Sequence, residues 1–284
     1  MQNIITQVLR VAFYAGEEIL RFYGDKDFIL KSDNSPLTSA DLASHTYLCQ
    51  ELLRIVDIPI CSEENELEYL KRKDLARYFL IDPLDGTKDL LAHNDEFCIN
   101  IALMEKQNNQ TLPILGVIYA PALHQIYFGA QGFGAYVITN LKKDFFNIDS
   151  LDMTSLLANA KKLPLDLISP DKHTALISNF HHSSHTQDFL QHYSLVPKAL
   201  GASLKFCLVA SGEAYIYPRF IGSKEWDSAA GDIIIQESGG IVLDVETKKP
   251  LCYNKPHIKN NHFIAFSQQA LKGAIYKEFC NGRI

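Results

Sequence analysis

The sequence lacks the features that mark several common classes of protein. It has no excess of positive charge: 27 Lys and Arg stand against 33 Asp and Glu, for a formal net charge of −6 at pH 7. A chain without a basic field is a poor match for nucleic-acid polymers or anionic membrane surfaces. None of its six cysteines forms a C-x-x-C pair. That removes the commonest zinc and dithiol redox patterns and leaves reduced, mostly buried thiols in a cytoplasmic protein as the expectation. No run reaches the ~18 uninterrupted apolar residues of a spanning helix. The segment Met1-Gln2-Asn3-Ile4-Ile5 has no basic stretch ahead of an apolar one, and Glu17 and Glu18 interrupt the apolar pattern beyond it, so no signal peptide is expected. The expected setting is cytoplasmic, with peripheral contact at the cytoplasmic face of the inner membrane the one membrane association left open. There is no internal repeat and no low-complexity tract.

What is present is an ordinary globular composition, 47% hydrophobic and 21% charged over 284 residues, enough for one large domain or two packed halves. Apolar residues at helical spacing predict a helix over 4–23, and Thr38-Ser39-Ala40-Asp41 reads as the entry to a second over about 40–56 with Leu42, Leu48, Leu52, Leu53 and Val56 as its buried face. Tyr78-Phe79-Leu80-Ile81 reads as a buried strand stopped by Asp82-Pro83. Strands are expected over 97–104, 114–120, 125–130 and 135–138, then over 175–178, 214–217 and 241–244. A helix is expected over 204–210, and another that Asp227 caps and Gly239-Gly240 stops. The polar, Pro-broken stretch 139–170 suggests a division into 1–150, with most of the acidic site residues, and 151–284, with a substrate loop and Asp227.

The acids fall where a fold can gather them. Glu63-Glu64 follow the apolar Ile58-Pro59-Ile60-Cys61, Asp82 and Asp85 bracket a Pro-Leu turn, and Asp41 and Asp227 open helices. In Asp82-Pro83-Leu84-Asp85-Gly86-Thr87, proline stiffens the turn so that two carboxylates and the Leu84 carbonyl can face one centre. Hard cations such as Mg²⁺ take such oxygen donors. Gly86 lets backbone approach a phosphate, with its N–H and that of Thr87 as donors. Taken alone, the segment is equally well a surface turn, a Glu-Glu pair a solvated face, and an Asp before a helix a cap. A net negative charge in an enzyme of anionic substrates makes sense when the acids hold cations.

Together, these residues resemble the inositol monophosphatase-like, lithium-sensitive metal phosphatases, and within them the bisphosphate nucleotidases. The matching segments are Asp33 to Asp41, Ser62-Glu63-Glu64, Ile81 to Lys88, Gly116 to Pro121, Gly201 to Cys207 and Trp226 to Gly231, in the family's order over about 30–240. The resemblance implies a layered αβαβα sandwich of mixed α/β class. It implies Glu63, Asp82, the Leu84 carbonyl, Asp85 and Asp227 as ligands of roughly two or three Mg²⁺ ions. It implies Asp41 and Thr87 as the pair that positions the attacking water. For the substrate it implies Gly86, Thr87 and Lys88 at the phosphate, Gly201, Ser203 and Lys205 in the substrate loop, and Glu63 and Asp227 beside it. One segment departs: where relatives often read Ser-Arg-Ser-His, this chain has Ser178-Asn179-Phe180-His181, without the arginine.

The reaction expected is metal-assisted, in-line hydrolysis of a phosphate monoester. Arg219 stands where inositol phosphatases resembling this chain carry a glutamate, and an arginine suits a second phosphate. Adenosine 3′,5′-bisphosphate, a by-product of sulfate assimilation, is therefore the favoured substrate, giving AMP and phosphate. An inositol or other sugar monophosphatase is the runner-up, and a non-catalytic nucleotide-binding regulator comes third. His181, His182 and His185 carry no accompanying ligand pattern and are read as an exposed loop rather than a metal site. Gly129-x-x-Gly132-x-Gly134 is read as a hairpin turn rather than a dinucleotide site, and the Lys161-Lys162 and Lys248-Lys249 pairs as solvated surface.

Overall fold

The computed structural model of the protein describes residues 2–146, 152–166, 173–181 and 183–282. Helix α1 (Gln2–Leu20) buries Ile5, Val8, Leu9, Ala12 and Ile19 along one face. A two-stranded hairpin follows, β1 (Phe28–Leu30) and β2 (Pro36–Thr38). Thr38 then caps α2 (Ser39–Ile55) in a reciprocal box with Asp41. The face of α2 is narrower than its leucines suggest. Ala40, Ser44, Leu48 and Leu52, one residue in four, are buried, whereas Leu42 and Leu53 are 48% and 45% exposed. The expectation for those two leucines, drawn from apolarity alone, is corrected.

Next come β3 (Ile60–Ser62), α3 (Tyr69–Arg72), β4 (Arg77–Asp85), α4 (Thr87–Leu91), β5 (Cys98–Gln107), β6 (Gln110–Ala120), β7 (Gln125–Ala130), β8 (Gly134–Ile138), α5 (Met153–Ala158) and β9 (Lys161–Lys162). The strands make a seven-stranded sheet in the order β3-β4-β5-β6-β7-β8-β9. The second half holds β10 (Thr174–Ile177), α6 (Ser184–His192), β11 (Val196–Ala199), α7 (Leu204–Ser211), β12 (Ile216–Arg219), β13 (Ser223–Lys224), α8 (Ala229–Glu237), β14 (Ile241–Asp244), β15 (Lys259–Asn260), β16 (Phe263–Phe266) and α9 (Ala274–Cys280). Here the sheet is five-stranded, ordered β11-β10-β12-β16-β14. The expected division at 150/151 falls outside the described residues, and β9 still pairs with β8 of the first sheet.

Side-chain alternation along the strands explains the layers. On β4, Phe79 and Ile81 pack with α1 and α2, while Tyr78 and Leu80 face the opposite way, into a core shared with α7 and α8. On the second sheet Tyr217 and Ala265 face that shared core, and Ile216, Ile264 and Phe266 face Phe189 of α6 and Phe279 of α9. The order of layers is helix, sheet, helix, sheet, helix, the expected αβαβα sandwich. Helix α8 lies on the first sheet without a side-chain spacer. A Cβ on Gly116 of β6 would stand 2.3 Å from the Ala230 carbonyl oxygen, and one on Gly129 of β7 would stand 3.1 Å from Ile234 Cα. The glycine-rich turn between β7 and β8 is the expected hairpin, and Glu237 at the end of α8 accepts the N–H groups of Gly132 and Gly134 at 2.9 and 2.8 Å. Among the described residues no helix is long and apolar enough to cross a membrane.

Candidate active site

Strand β4 does not stop at Asp82-Pro83, as its sequence suggests, but runs on to Asp85 with a slip of register against β5 between Asp82 and Asp85. Such a bulge re-aims side chains locally, and the hydroxyl of Ser44 on α2 fixes it by donating to the Pro83 carbonyl at 2.7 Å. Gly86 comes next with φ +90, a left-handed turn that a side chain would strain. Glu63 is brought alongside by the parallel pairing of β3 with β4 and by its own N–H to the Ile81 carbonyl at 3.1 Å. Asp227 arrives from the other half. It closes a 3₁₀ turn over Glu225–Asp227 rather than capping the next helix, which begins at Ala229, and its carboxylate accepts the Lys224 N–H at 2.7 Å.

One hydroxyl joins the halves. Ser203 Oγ lies 2.5 Å from Asp85 Oδ2 and 2.8 Å from the Asp227 carbonyl, and the Asn100 amide donates to it at 2.9 Å. A serine has one proton to give, so it serves one of the two acceptors at a time. Asp41 and Thr87, 46 residues apart, also meet: Thr87 Oγ1 donates to Asp41 Oδ1 at 3.1 Å and lies 3.4 Å from the Leu84 carbonyl. The other Asp41 oxygen accepts the N–H and hydroxyl of Thr38 at 2.7 and 2.5 Å. The Asp41 carboxylate is therefore held on one side by the helix cap and on the other by Thr87.

The electrostatics are those of anions crowded out of water. Burial, then Glu63, Asp85 and Asp227, push Asp82 well above the usual carboxylate range. Burial, then Asp85 and Glu63, lift Asp227 to about 8. Burial also raises Glu63 and Asp41. The local counter-charge is Lys31 at the end of the β1 hairpin, whose Nζ lies 2.7 Å from both Glu63 and Glu64. Burial works to lower its pKa, but the two glutamates carry it above its ordinary value. Among the described residues no three His, Cys, Asp or Glu side chains form a closed chelating group; each carboxylate leans on a lysine, hydroxyl or backbone N–H instead. The donor set fits a hard divalent cation all the same: carboxylates plus the Leu84 carbonyl, with no sulfur or imidazole among them.

Glu63, Asp82, Leu84, Asp85, Gly86, Thr87 and Asp227 line one cavity of about 570 Å³ together with Lys88, Ser203, Lys205 and Arg219. Asp41 sits behind its wall. Gly201 is not on the wall either: its N–H donates to Glu96 at 2.8 Å, and a Cβ there would stand 2.4 Å from the Glu96 carbonyl oxygen, so it secures the loop from behind. Lys205 reaches the cavity, but its ammonium donates to the Leu200 and Ala202 carbonyls at 2.9 and 2.5 Å. Burial lowers its pKa to about 8. Arg219 has one donor on the Gly222 carbonyl at 3.3 Å, while its buried Nε has no partner among the described residues.

Some members of this site escape a reading of the sequence. Lys31 and Glu64 form the ion pairs just described. Asn100 is 1% exposed in the middle of an apolar strand, and a lone amide in such a run is the signal that would have found it. His181 is exposed in a loop, as expected, but that loop also lines the cavity; loss of solvent around the ring, then Arg219, Lys88 and Lys205, hold its pKa down. His185 opens α6, away from the cavity, and His182 lies outside the described residues. At the position where the resemblance implies an arginine, Asn179 donates to Asp89 and Glu96 at 2.8 Å each. The position is a strut beneath the Gly201 loop.

A family model described as the inositol monophosphatase family matches residues 1–282. The 3′(2′),5′-bisphosphate nucleotidase CysQ of Salmonella typhimurium is 37% identical over 254 residues, 86% of this chain and 92% of that protein. The CysQ of Escherichia coli K12 is 36% identical over 255 residues, 88% of this chain and 94% of that protein. Among solved structures, CysQ from Bacteroides thetaiotaomicron, described as a bacterial member of the inositol monophosphatase family, superposes with a TM-score of 0.82 at 33% identity, over 94% of this chain and 98% of that one. The Thermotoga maritima inositol monophosphatase shares the fold, at a TM-score of 0.70 and 21% identity over 97% and 96% of the two chains.

Proposed function

The chain belongs to the inositol monophosphatase family and is a phosphatase, and from that premise we propose that it removes the 3′-phosphate of adenosine 3′,5′-bisphosphate to give AMP and phosphate. The observation that carries this reading is the make-up of the large cavity, which joins a carboxylate cluster to Lys88 and an Arg219 whose buried Nε has no partner among the described residues. Two phosphates on one substrate need two kinds of partner. The cluster serves the one that is cleaved, and a planar guanidinium suits the one that is kept. The CysQ relatives carry that activity in their name.

In this reading Glu63, Asp82, the Leu84 carbonyl, Asp85 and Asp227 hold Mg²⁺, roughly two or three ions. When bound, such ions supply positive charge to the phosphate oxygens and acidify a water. Thr87 and Asp41 orient that water: the threonine hydroxyl is already aligned by the Asp41 carboxylate, and the carboxylate can accept the proton that the water gives up. The N–H groups of Gly86 and Thr87, at the start of the short helix α4, and the Lys88 ammonium face the phosphate being cleaved. Ser203 holds Asp85 and the Asp227 backbone in register, and Lys205 stiffens the loop that supports Ser203. A cytoplasmic setting belongs to the same reading.

The test is phosphate release from adenosine 3′,5′-bisphosphate and from inositol 1-phosphate, with and without Mg²⁺. The expected result is Mg²⁺-dependent release with the nucleotide preferred. Preference for inositol 1-phosphate would move the chain to the sugar phosphatases, and tight nucleotide binding without release would make it a regulator.

A further inference from the structure

We propose that Phe180 is the platform on which the nucleobase of the substrate stacks, and so the residue that distinguishes nucleotides from other bisphosphates. The inference deepens the nucleotide reading and rests on it. Among the described residues, the exposed large hydrophobic side chains are few, and Phe180, 42% exposed, is the one that lines the cavity. The other large apolar side chains on the wall, among them Phe206, Tyr217, Trp226 and Phe263, are 1–4% exposed and belong to the core. The Phe180 ring makes no aromatic pair among the described residues, whereas Phe206, Tyr217 and Phe263 pack on one another.

The segment that carries the ring is anchored on both sides of it. Asn179 is tied to Asp89 and Glu96, and the Phe180 and His181 N–H groups lie 3.4 and 3.2 Å from Ser178 Oγ. A fixed backbone presenting a free aromatic face at a cavity rim is the arrangement that favours stacking, because little freedom is lost when a flat partner arrives. The charged and hydrogen-bonding groups on the wall suit phosphates and a ribose. A nucleoside bisphosphate brings one further group, a flat, uncharged aromatic base, and Phe180 is the surface that matches its face.

Steady-state kinetics on two substrates with the same phosphates, adenosine 3′,5′-bisphosphate and ribose 3,5-bisphosphate, test the proposal. Stacking on an aromatic is worth ~1–3 kcal/mol per base, so Phe180→Ala should raise the nucleotide KM relative to the ribose bisphosphate KM by about tenfold. The nucleotide kcat should fall far less than its KM rises, and Phe180→Trp should recover or improve the nucleotide KM. Titration of AMP against ribose 5-phosphate by calorimetry reads the same difference without turnover. If Phe180→Ala shifts both bisphosphates equally, or neither, while the wild type cleaves the nucleotide, the platform is wrong and the nucleotide reading stands. A wild type that cleaves inositol 1-phosphate and neither cleaves nor binds the nucleotide overturns both.

Discussion

The cavity has two ends built on different principles. At the acidic end, Asp82 is 2% exposed on a sheet strand; Asp82 and Asp227 are fixed by backbone N–H groups of their own turns, Glu63 by Lys31, and Asp85 by Ser203 and Asn100. At the cationic end, Lys205 sits on α7 and Arg219 at the end of β12, with the His181 ring in a loop beside them. The first is rigid and self-repelling: burial first, and then the neighbouring acids, raise Asp82 and Asp227. The second is assembled from scattered elements whose donors are partly spent on neighbouring carbonyls. The difference separates chemistry from recognition. Damage at the acidic end should appear in turnover, and damage at the cationic end in substrate affinity.

The sharpest way to break this contrast is at the acidic end. Asp85→Asn and Asp227→Asn should each lower kcat by roughly two or more orders of magnitude, because each removes an anionic donor that places a cation. Phosphate release across a Mg²⁺ titration, with circular dichroism to confirm the fold, checks this; near-wild-type kcat at limiting Mg²⁺ would remove these residues from the metal site. At the cationic end, Arg219→Ala should raise KM for adenosine 3′,5′-bisphosphate about tenfold, as expected for loss of a charged hydrogen bond, and change hydrolysis of a simple monophosphate far less. An equal effect on both substrates would make Arg219 a structural residue. Lithium should also act at the acidic end, where a small hard cation of lower charge can compete for Mg²⁺ positions. Activity should fall with LiCl and not with equal KCl, and indifference to lithium would count against the metal assignment.

The smallest effect comes from a control. Asp232 on α8 is as buried as Asp82, but its neighbours are the donors Tyr253 and Gln236, at 2.9 and 2.8 Å, rather than other acids. Burial raises it to about 6. In the unfolded chain an aspartate titrates near ~3.9, so between about 4 and 6 the folded state binds more protons than the unfolded one, and stability falls as pH rises through that window. Asp232→Asn should remove this part of the pH dependence, on the order of 2–3 kcal/mol above pH ~7. Urea unfolding at several pH values reads the difference. Unaltered pH dependence in the variant would show that Asp232 titrates in the folded chain as it does in the unfolded one.

The acidic end is legible in the sequence because its information is local. Asp82 to Thr87 is a contiguous run whose proline and glycine report the turn, and the Thr38-to-Asp41 cap states its own geometry. The end of β4 is misread for the same reason: Asp-Pro usually ends a strand, and only pairing with β5 reveals a bulge. Leu42 and Leu53 mislead because apolarity does not say how wide a face the neighbouring α1 and β4 will cover. Lys31 and His181 have no local signal at all. Their roles depend on where a two-stranded hairpin and a loop between β10 and α6 come to rest. Gly201 does lie in the expected loop and Lys205 on the helix that follows it, but the structure spends their polar atoms on holding that loop.

The bare contact between α8 and the first sheet has a consequence for the proposed metal site. Asp227 lies immediately before α8, while Asp82 and Asp85 belong to the sheet on which α8 rests. Gly116, outside the cavity, therefore works as a gauge block. Its missing side chain sets the separation between donors supplied by opposite halves of the chain. Coordination distances tolerate only about 0.2 Å, and a methyl group at Gly116 would have to push the Ala230 carbonyl aside from 2.3 Å. The dimensional accuracy of the proposed centre is thus stored partly in a glycine outside the cavity.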